Sequence, residues 1–68
     1  MRRPTAKQQA AALDRAIDTA VRQQCAGIPI NILNIGKVFA AGRAAALAGE
    51  DPGAAAVAKY RELAEVSQ

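Results

Sequence analysis

The side chains that most often perform catalysis or bind metal ions are nearly absent from this sequence. It has no histidine, a single cysteine, Cys25, and a single serine, Ser67. General acid–base and nucleophilic catalysis need a poised group beside a partner, and a tetrahedral zinc site needs four ligands. Asp14 and Asp18 lie one helical turn apart, but we expect both to face solvent beside neighbouring arginines. The sequence therefore predicts no enzyme, no metal site and no cofactor.

Asn31, Asn34 and Lys37 form a spacing that suggests a ligand. They recur every three residues near the expected start of a helix. The free N–H groups and the dipole at that end favour an anion. The simpler interpretation is that the asparagines cap the helix and Lys37 is solvated, because no glycine-rich phosphate loop accompanies them. A small anionic ligand, such as a nucleotide, stays an alternative.

The length of 68 residues allows one domain, residues 1–68, with a thin core. Eighteen of the apolar residues are alanine, which buries little area. Small chains of this kind usually gain stability from disulfides, a metal ion or a partner subunit. Cys25 cannot form an internal disulfide, and we expect it to be a buried, inert thiol in the reducing cytoplasm. A partner subunit remains, so the sequence predicts a homo-oligomer.

The net charge of +3 is spread along the chain and forms no single basic stripe. Its densest part is an N-terminal arm that contains Arg2, Arg3 and Lys7. The N-terminus lacks the apolar core of a signal peptide. The longest apolar run, residues 28–48, is interrupted by polar and basic side chains including Lys37 and Arg43. We therefore expect no transmembrane helix and no membrane partner.

Capping patterns predict where the first helix begins and ends. Thr5 followed by Gln8 is a capping box, and Gly27 is suited to end a helix, so we predict a helix over 5–26. We expect residues 1–4 and 67–68 to be frayed. Asp18 and Arg22 are spaced as a favourable ion pair. The apolar face of this helix consists of Ala10, Leu13, Ile17, Ala20, Val21 and Cys25.

Two further helices follow, after a segment that the sequence leaves ambiguous. Ile28, Ile30 and Ile32 alternate as in a strand, so residues 28–33 are either extended or helical. The alanine-rich stretch after them predicts a second helix over 32–48, with Asn31 or Asn34 as its cap. Asp51 and Pro52 open a third helix over 52–66. The predicted fold class is all-α, a compact three-helix unit assembled into a homo-oligomer.

The third helix also has one apolar face. This face consists of Ala56, Val57, Tyr60, Leu63, Ala64 and Val66.

The second helix is apolar nearly all round, which two thin neighbours cannot cover. We therefore expect an interface there, formed by Ile32, Ile35, Phe39, Arg43 and Leu47. Arg43 marks the solvent edge or reaches an acidic group on a partner. Small residues also form two lines along the same helix. Such a line lets another helix pack closely against it, either within the chain or from a second chain. The first line is Gly36, Ala40, Ala44 and Ala48, and the second is Gly42 and Ala46.

Three functions remain, and the first is favoured. It is a non-enzymatic, oligomeric binding protein of the phage or plasmid accessory type, which inhibits a macromolecular partner, most simply a protein, by occlusion. The second is a small dimeric DNA-binding transcriptional regulator that uses helices two and three and the basic arm. Against it, the third helix presents Gly and Ala in its first turn and carries Glu62 and Glu65. The third is an oligomer that sequesters a small anionic ligand at Asn34 and Lys37.

Overall fold

The computed structural model describes residues 5–67, and this part of the chain contains three α-helices and no strand. They are α1 (Ala6–Gln24), α2 (Ile35–Leu47) and α3 (Pro52–Ser67), with a 3-10 turn at Ile32–Asn34 before α2. The predicted all-α, three-helix fold is confirmed. Residues 1–4 and 68, for which we expected fraying, lie outside the described residues, and Ser67 is the last residue of α3.

The predicted capping box starts α1. The Thr5 side-chain oxygen accepts a hydrogen bond from the Gln8 backbone N–H at 3.1 Å, and the Thr5 N–H donates to Gln8 Oε1 at 2.9 Å. The helix ends at Gln24, two residues before the predicted end. Gly27 follows with a φ of +81°, a conformation that glycine adopts without steric cost. The prediction that Gly27 directly ends the helix is therefore wrong, because Cys25 is the C-cap and Gly27 lies in the turn two residues beyond it.

The ambiguous segment is neither a strand nor part of the second α-helix. Residues 28–31 have no regular structure, and the 3-10 turn that follows leads into α2 at Ile35, three residues after the predicted start. The Asn31 side chain accepts from the Leu33 N–H at 2.9 Å, so Asn31 caps the 3-10 turn. Asn34 precedes α2, but its side chain makes no capping hydrogen bond.

The start of α3 agrees with the sequence. The Asp51 carboxylate accepts from the backbone N–H groups of Gly53 at 3.0 Å and Ala54 at 3.4 Å, and Pro52 occupies the first helical position. Gly49, with a φ of +77°, closes the preceding helix, and the Glu50 N–H donates to the Ala45 carbonyl at 2.8 Å. These two caps produce the short turn that brings α2 back against α3.

The core lies along α3, which packs against both α1 and α2, whereas α1 and α2 touch each other at few positions. The predicted apolar face of α3 is confirmed, although the side chain of Val66 lies outside the described part. The prediction that Ala10 lies on the buried face of α1 is wrong, because every residue of this helix from 6 to 12 is exposed. The core cluster consists of Ile17, Cys25, Val38, Ala56, Val57 and Tyr60.

The tight crossing in the chain uses the second line of small residues, at Gly42. This glycine is buried against Ile17, whose side chain is 0% exposed. A Cβ atom at Gly42 would lie only 2.5 Å from Ile17 Cδ1 and 2.7 Å from Ile17 Cγ1. The alternative that the first line makes a crossing within the chain is wrong, because Gly36, Ala40, Ala44 and Ala48 are all exposed.

Gly42→Ala should destabilise the fold. Overpacking against Ile17 costs about 1 to 3 kcal/mol, which the gain in helix propensity of about 1 kcal/mol offsets only in part. Gly36→Ala is the matched control, because nothing lies within 4 Å of a Cβ there, so it should gain stability. Urea unfolding in dilute solution measures both. Equal shifts in the unfolding midpoint for the two variants would contradict the Gly42 contact.

Tyr60 links α3 to residues 25–31, which connect α1 to the 3-10 turn. Its hydroxyl donates a hydrogen bond to the carbonyl oxygen of Ile28 in this connector. Tyr60→Phe keeps the buried ring but leaves this partly buried carbonyl without its donor. We expect the free energy of unfolding to fall by about 1 kcal/mol. Thermal or urea unfolding of the variant and the wild type gives the difference. Identical unfolding curves would show that the hydroxyl does not hold the connector.

Candidate functional site

A row of small and apolar side chains on α2 is exposed along the whole helix. We call this row, which begins in the 3-10 turn, the outer face of α2. Its two ends are leucines, Leu33 with 81% of its surface exposed and Leu47 with 91%. Contiguous apolar surface on a soluble protein marks an interaction site more often than a chance feature. The outer face consists of Leu33, Gly36, Ala40, Ala44 and Leu47.

The outer face follows from the way α2 packs. Val38, Gly42 and Ala45 are buried, and they lie on the side of the helix opposite Ala40. Because α3 and Ile17 of α1 cover only that side, the opposite row faces solvent. We predicted that two thin neighbours could not cover a helix that is apolar nearly all round. The structure shows which residues are uncovered.

The five predicted interface residues do not form one surface in the single chain. Ile32 is 81% exposed, and Leu47 stands at one end of the outer face. Ile35 and Phe39 are partly buried and pack against the chain's own core, so they are less available to a partner. Sequence reasoning left Leu33 out of the interface. Its position three residues before Gly36, the first member of the line of small residues, is the signal that could have included it.

Arg43, the fifth predicted interface residue, forms an ion pair within the chain. Its Nε donates to Asp14 Oδ1 at 2.9 Å and its Nη2 to Oδ2 at 2.8 Å, and the guanidinium carbon lies 6.0 Å from the centre of the Phe39 ring. We expected Asp14 to face solvent beside neighbouring arginines. Its side chain is indeed partly exposed, at 37%, but its arginine partner is Arg43 of α2 rather than a neighbour in α1. The predicted Asp18–Arg22 pair is confirmed at 2.8 Å.

The electrostatics of the Asp14–Arg43 pair favour a structural role. The hydrogen bonds from Arg43, followed by its positive charge, hold the pKa of the Asp14 carboxyl below its usual value. The same hydrogen bonds raise the pKa of Arg43. Both shifts stabilise the charged forms, so neither group is poised to exchange a proton near neutral pH. The pair links α1 to α2, and Asp14 balances the charge of Arg43 beside the outer face.

The candidate anion-binding residues do not form a closed site. The Asn31 side chain is engaged in its cap, whereas Asn34 makes no capping bond and Lys37 is exposed. Anion binding by these three residues stays a prediction. Cys25 is buried with 3% of its surface exposed, as predicted. Within residues 5–67 no group of three or more His, Cys, Asp or Glu side chains could hold a metal ion.

A shallow depression on α1 was not predicted from the sequence. It is largely open to solvent, with about 500 Å³ of space above it, and small side chains form much of its floor. No pattern of hydropathy indicates it, because its alanines look like ordinary helix formers. The depression is lined by Ala12, Arg15, Ala16, Thr19, Ala20 and Gln23.

No helix in the described part of the chain is long and apolar enough to cross a membrane.

Asp14→Asn should lower the stability of the fold at neutral pH. Because the fold lowers the pKa of Asp14, the charged carboxylate contributes stability that is fully present above the unfolded pKa of about 3.9. That contribution is lost as the pH falls through the lower folded pKa. Urea unfolding of the wild type and the variant between pH 7 and pH 2 therefore gives curves that converge in acid.

Asp18→Asn is the matched control, since its exposed pair with Arg22 lies within one helix and contributes little. We expect a smaller effect for this variant at neutral pH. A deficit of Asp14→Asn that stayed constant down to pH 2 would mean that the carboxylate charge is not its cause.

Comparison with known proteins identifies no relatives. No family model, no curated protein and no solved structure matches the chain. The candidate surface is therefore defined by the chain's own residues, above all by the outer face of α2.

Proposed function

We propose that this protein is a non-enzymatic binding protein that assembles into a homo-oligomer through α2. In this proposal it inhibits a macromolecular partner by occlusion, as a phage- or plasmid-type accessory protein does. The observation that carries the proposal is the outer face of α2, with Leu33 81% exposed and Leu47 91% exposed. Burying one such leucine side chain is favourable by about 1.5 to 3 kcal/mol. Association is the simplest way to gain that free energy.

A binding role fits the polar groups better than catalysis does. The two side chains with shifted pKa values, Asp14 and Arg43, stabilise each other as ions. A general acid or base instead needs a pKa near the working pH. The thiol of Cys25 is buried in the core, where a substrate does not reach it. The residues best placed for contact with another molecule are apolar or small.

Occlusion requires a surface that stays free when α2 is covered. The depression on α1 is such a surface, since it is lined by residues of α1 alone. Its small side chains admit a close approach, and Arg15 and Gln23 supply hydrogen-bond donors. A protein partner with a protruding apolar side chain flanked by acceptors fits this surface. Once bound, the oligomer excludes competing ligands from that part of the partner by its bulk.

We also propose a cytoplasmic location, which rests on chemistry rather than on a targeting segment. Cys25 has no second cysteine in the chain with which to form a disulfide. A buried free thiol of this kind is compatible with a reducing compartment.

Leu47→Glu should disrupt the oligomer and leave the fold intact. It replaces a leucine in each copy by a charge, so a contact containing two such leucines loses about 3 kcal/mol or more. This corresponds to at least a hundredfold rise in Kd. Helix content should stay unchanged in circular dichroism, because Leu47 is 91% exposed in the single chain. Sedimentation equilibrium and native mass spectrometry report the assembly.

Ala58→Glu is the control, since it adds the same charge at an exposed position of α3 and should preserve the oligomer. A wild-type protein that remained monomeric up to hundreds of micromolar would contradict the proposal. The same mass spectrum tests the anionic-ligand alternative. An excess mass of a few hundred daltons per site on the purified protein would favour sequestration over occlusion.

A further inference from the structure

We infer that the first two turns of α1 bind duplex DNA by lying in its major groove and contacting its phosphates. We call residues 6–12 the leading turns of α1. This activity goes beyond the proposed function and does not depend on it, because the depression on α1 is lined mostly by residues further along the helix. The exposure, the charge and the composition of the leading turns all favour DNA.

The leading turns are exposed on every side. Each residue from 6 to 12 is exposed, and seven consecutive helical residues make nearly two full turns. No side of this part of the helix is therefore packed into the core, whereas Ile17 further along α1 is fully buried. The major groove of B-form DNA is about 12 Å wide and admits one α-helix. A helix enters the groove only where the rest of its own protein leaves it uncovered, and the leading turns meet this condition.

The side chains of the leading turns keep the helix narrow and well formed. Four of its seven residues are alanine, whose single methyl group lets the backbone approach the floor of the groove closely. The capping box between Thr5 and Gln8 holds the first turn in place without a partner. The binding segment is therefore already a helix in the free protein.

The excess of positive charge lies at this end of the sequence. Basic residues occur along the whole chain, but residues 1–24 hold five of them against two acidic residues, a net charge of +3. From 25 to 68 four basic and four acidic residues cancel. Arg2, Arg3 and Lys7 all precede the first acidic residue of the chain. The charge of this part of the sequence is thus complementary to a polyanion.

The acidic side chains that follow the leading turns do not oppose a polyanion. Asp14 is paired with Arg43 and Asp18 with Arg22, each at 2.8 Å. Arg15, between the two acids in sequence, is exposed and makes no ion pair in the described part of the chain. Its guanidinium is therefore available to a phosphate of DNA that extends past the leading turns.

The composition of the leading turns favours a nucleic acid over a protein as the partner. Interfaces between proteins obtain most of their binding free energy from a few large anchors, chiefly Trp, Tyr and Arg. The leading turns contain only Ala, Gln and Lys, so they offer no such anchor. Interfaces with DNA are instead polar and positively charged, and Lys, Arg and Gln side chains make many of their contacts with phosphates.

The number of cations sets the expected strength of binding. Arg2, Arg3, Lys7 and Arg15 together can neutralise about four phosphates. The affinity should then fall about a hundredfold between about 50 and 200 mM salt. We therefore expect binding that is measurable at low salt and largely independent of the DNA sequence.

Fluorescence anisotropy of a labelled DNA duplex of about 20 base pairs, titrated with the full chain at about 50 mM salt, tests this inference. Lys7→Glu should weaken binding about tenfold or more, because it removes one phosphate contact and adds repulsion. Lys37→Glu is the matched control, since it makes the same change of charge at an exposed position outside α1. We expect a loss of about twofold for this control, from net charge alone. Circular dichroism should show unchanged helix content for both variants.

Two further probes separate the major groove from general attraction to negative charge. The major groove of an RNA duplex is too narrow for side chains to read, so an RNA duplex of the same sequence should bind several times more weakly. Equal affinity for both duplexes, or equal losses for the two variants, would overturn the leading turns as a groove-binding element. Poly-glutamate that binds as tightly as DNA would overturn DNA in favour of an acidic protein partner. Absence of any binding at low salt would overturn the inference as a whole.

Discussion

The contact between Gly42 and Ile17 determines most of the architecture. Ile17 is fully buried, and it fits against α2 only because Gly42 has no side chain. This contact fixes the rotation of α2 about its own axis, so that Val38 and Ala45 also turn inward. The row centred on Ala40 must then face solvent. The exposed surface is therefore a geometric consequence of the core and not a separate feature.

The Asp14–Arg43 pair has a complementary role at the edge of this arrangement. α1 and α2 share few contacts, and the two hydrogen bonds of this pair join them directly. An exposed ion pair adds little stability by itself, because water screens it. Its bidentate geometry instead restricts where the guanidinium lies, over Phe39 and beside the outer face. It also neutralises the charge of Arg43 beside that face.

The sequence predicted the features that depend on neighbours in the chain, and it failed where distant residues decide. The caps at Thr5 and Asp51 involve residues only two or three positions away, so the sequence alone predicts them. Which line of small residues turns inward depends on Ile17, twenty-five residues before Gly42, and both lines look alike in the sequence. Asp14 and Arg43 are separated by twenty-nine residues, so spacing could not pair them. The sequence therefore predicts that α2 has more apolar surface than its neighbours can cover. It does not predict which residues form the outer face.

Assembly through α2 would change how the protein meets a partner. In the proposed homo-oligomer each copy would carry one such depression on α1. A partner with two equivalent sites at a matching separation would gain affinity from the second contact without any new kind of interaction. Reversible assembly then makes occlusion depend on concentration, because only the assembled form engages both sites. The alanine-rich composition that leaves the core thin would in this way supply both the contact between copies and the surface for the partner.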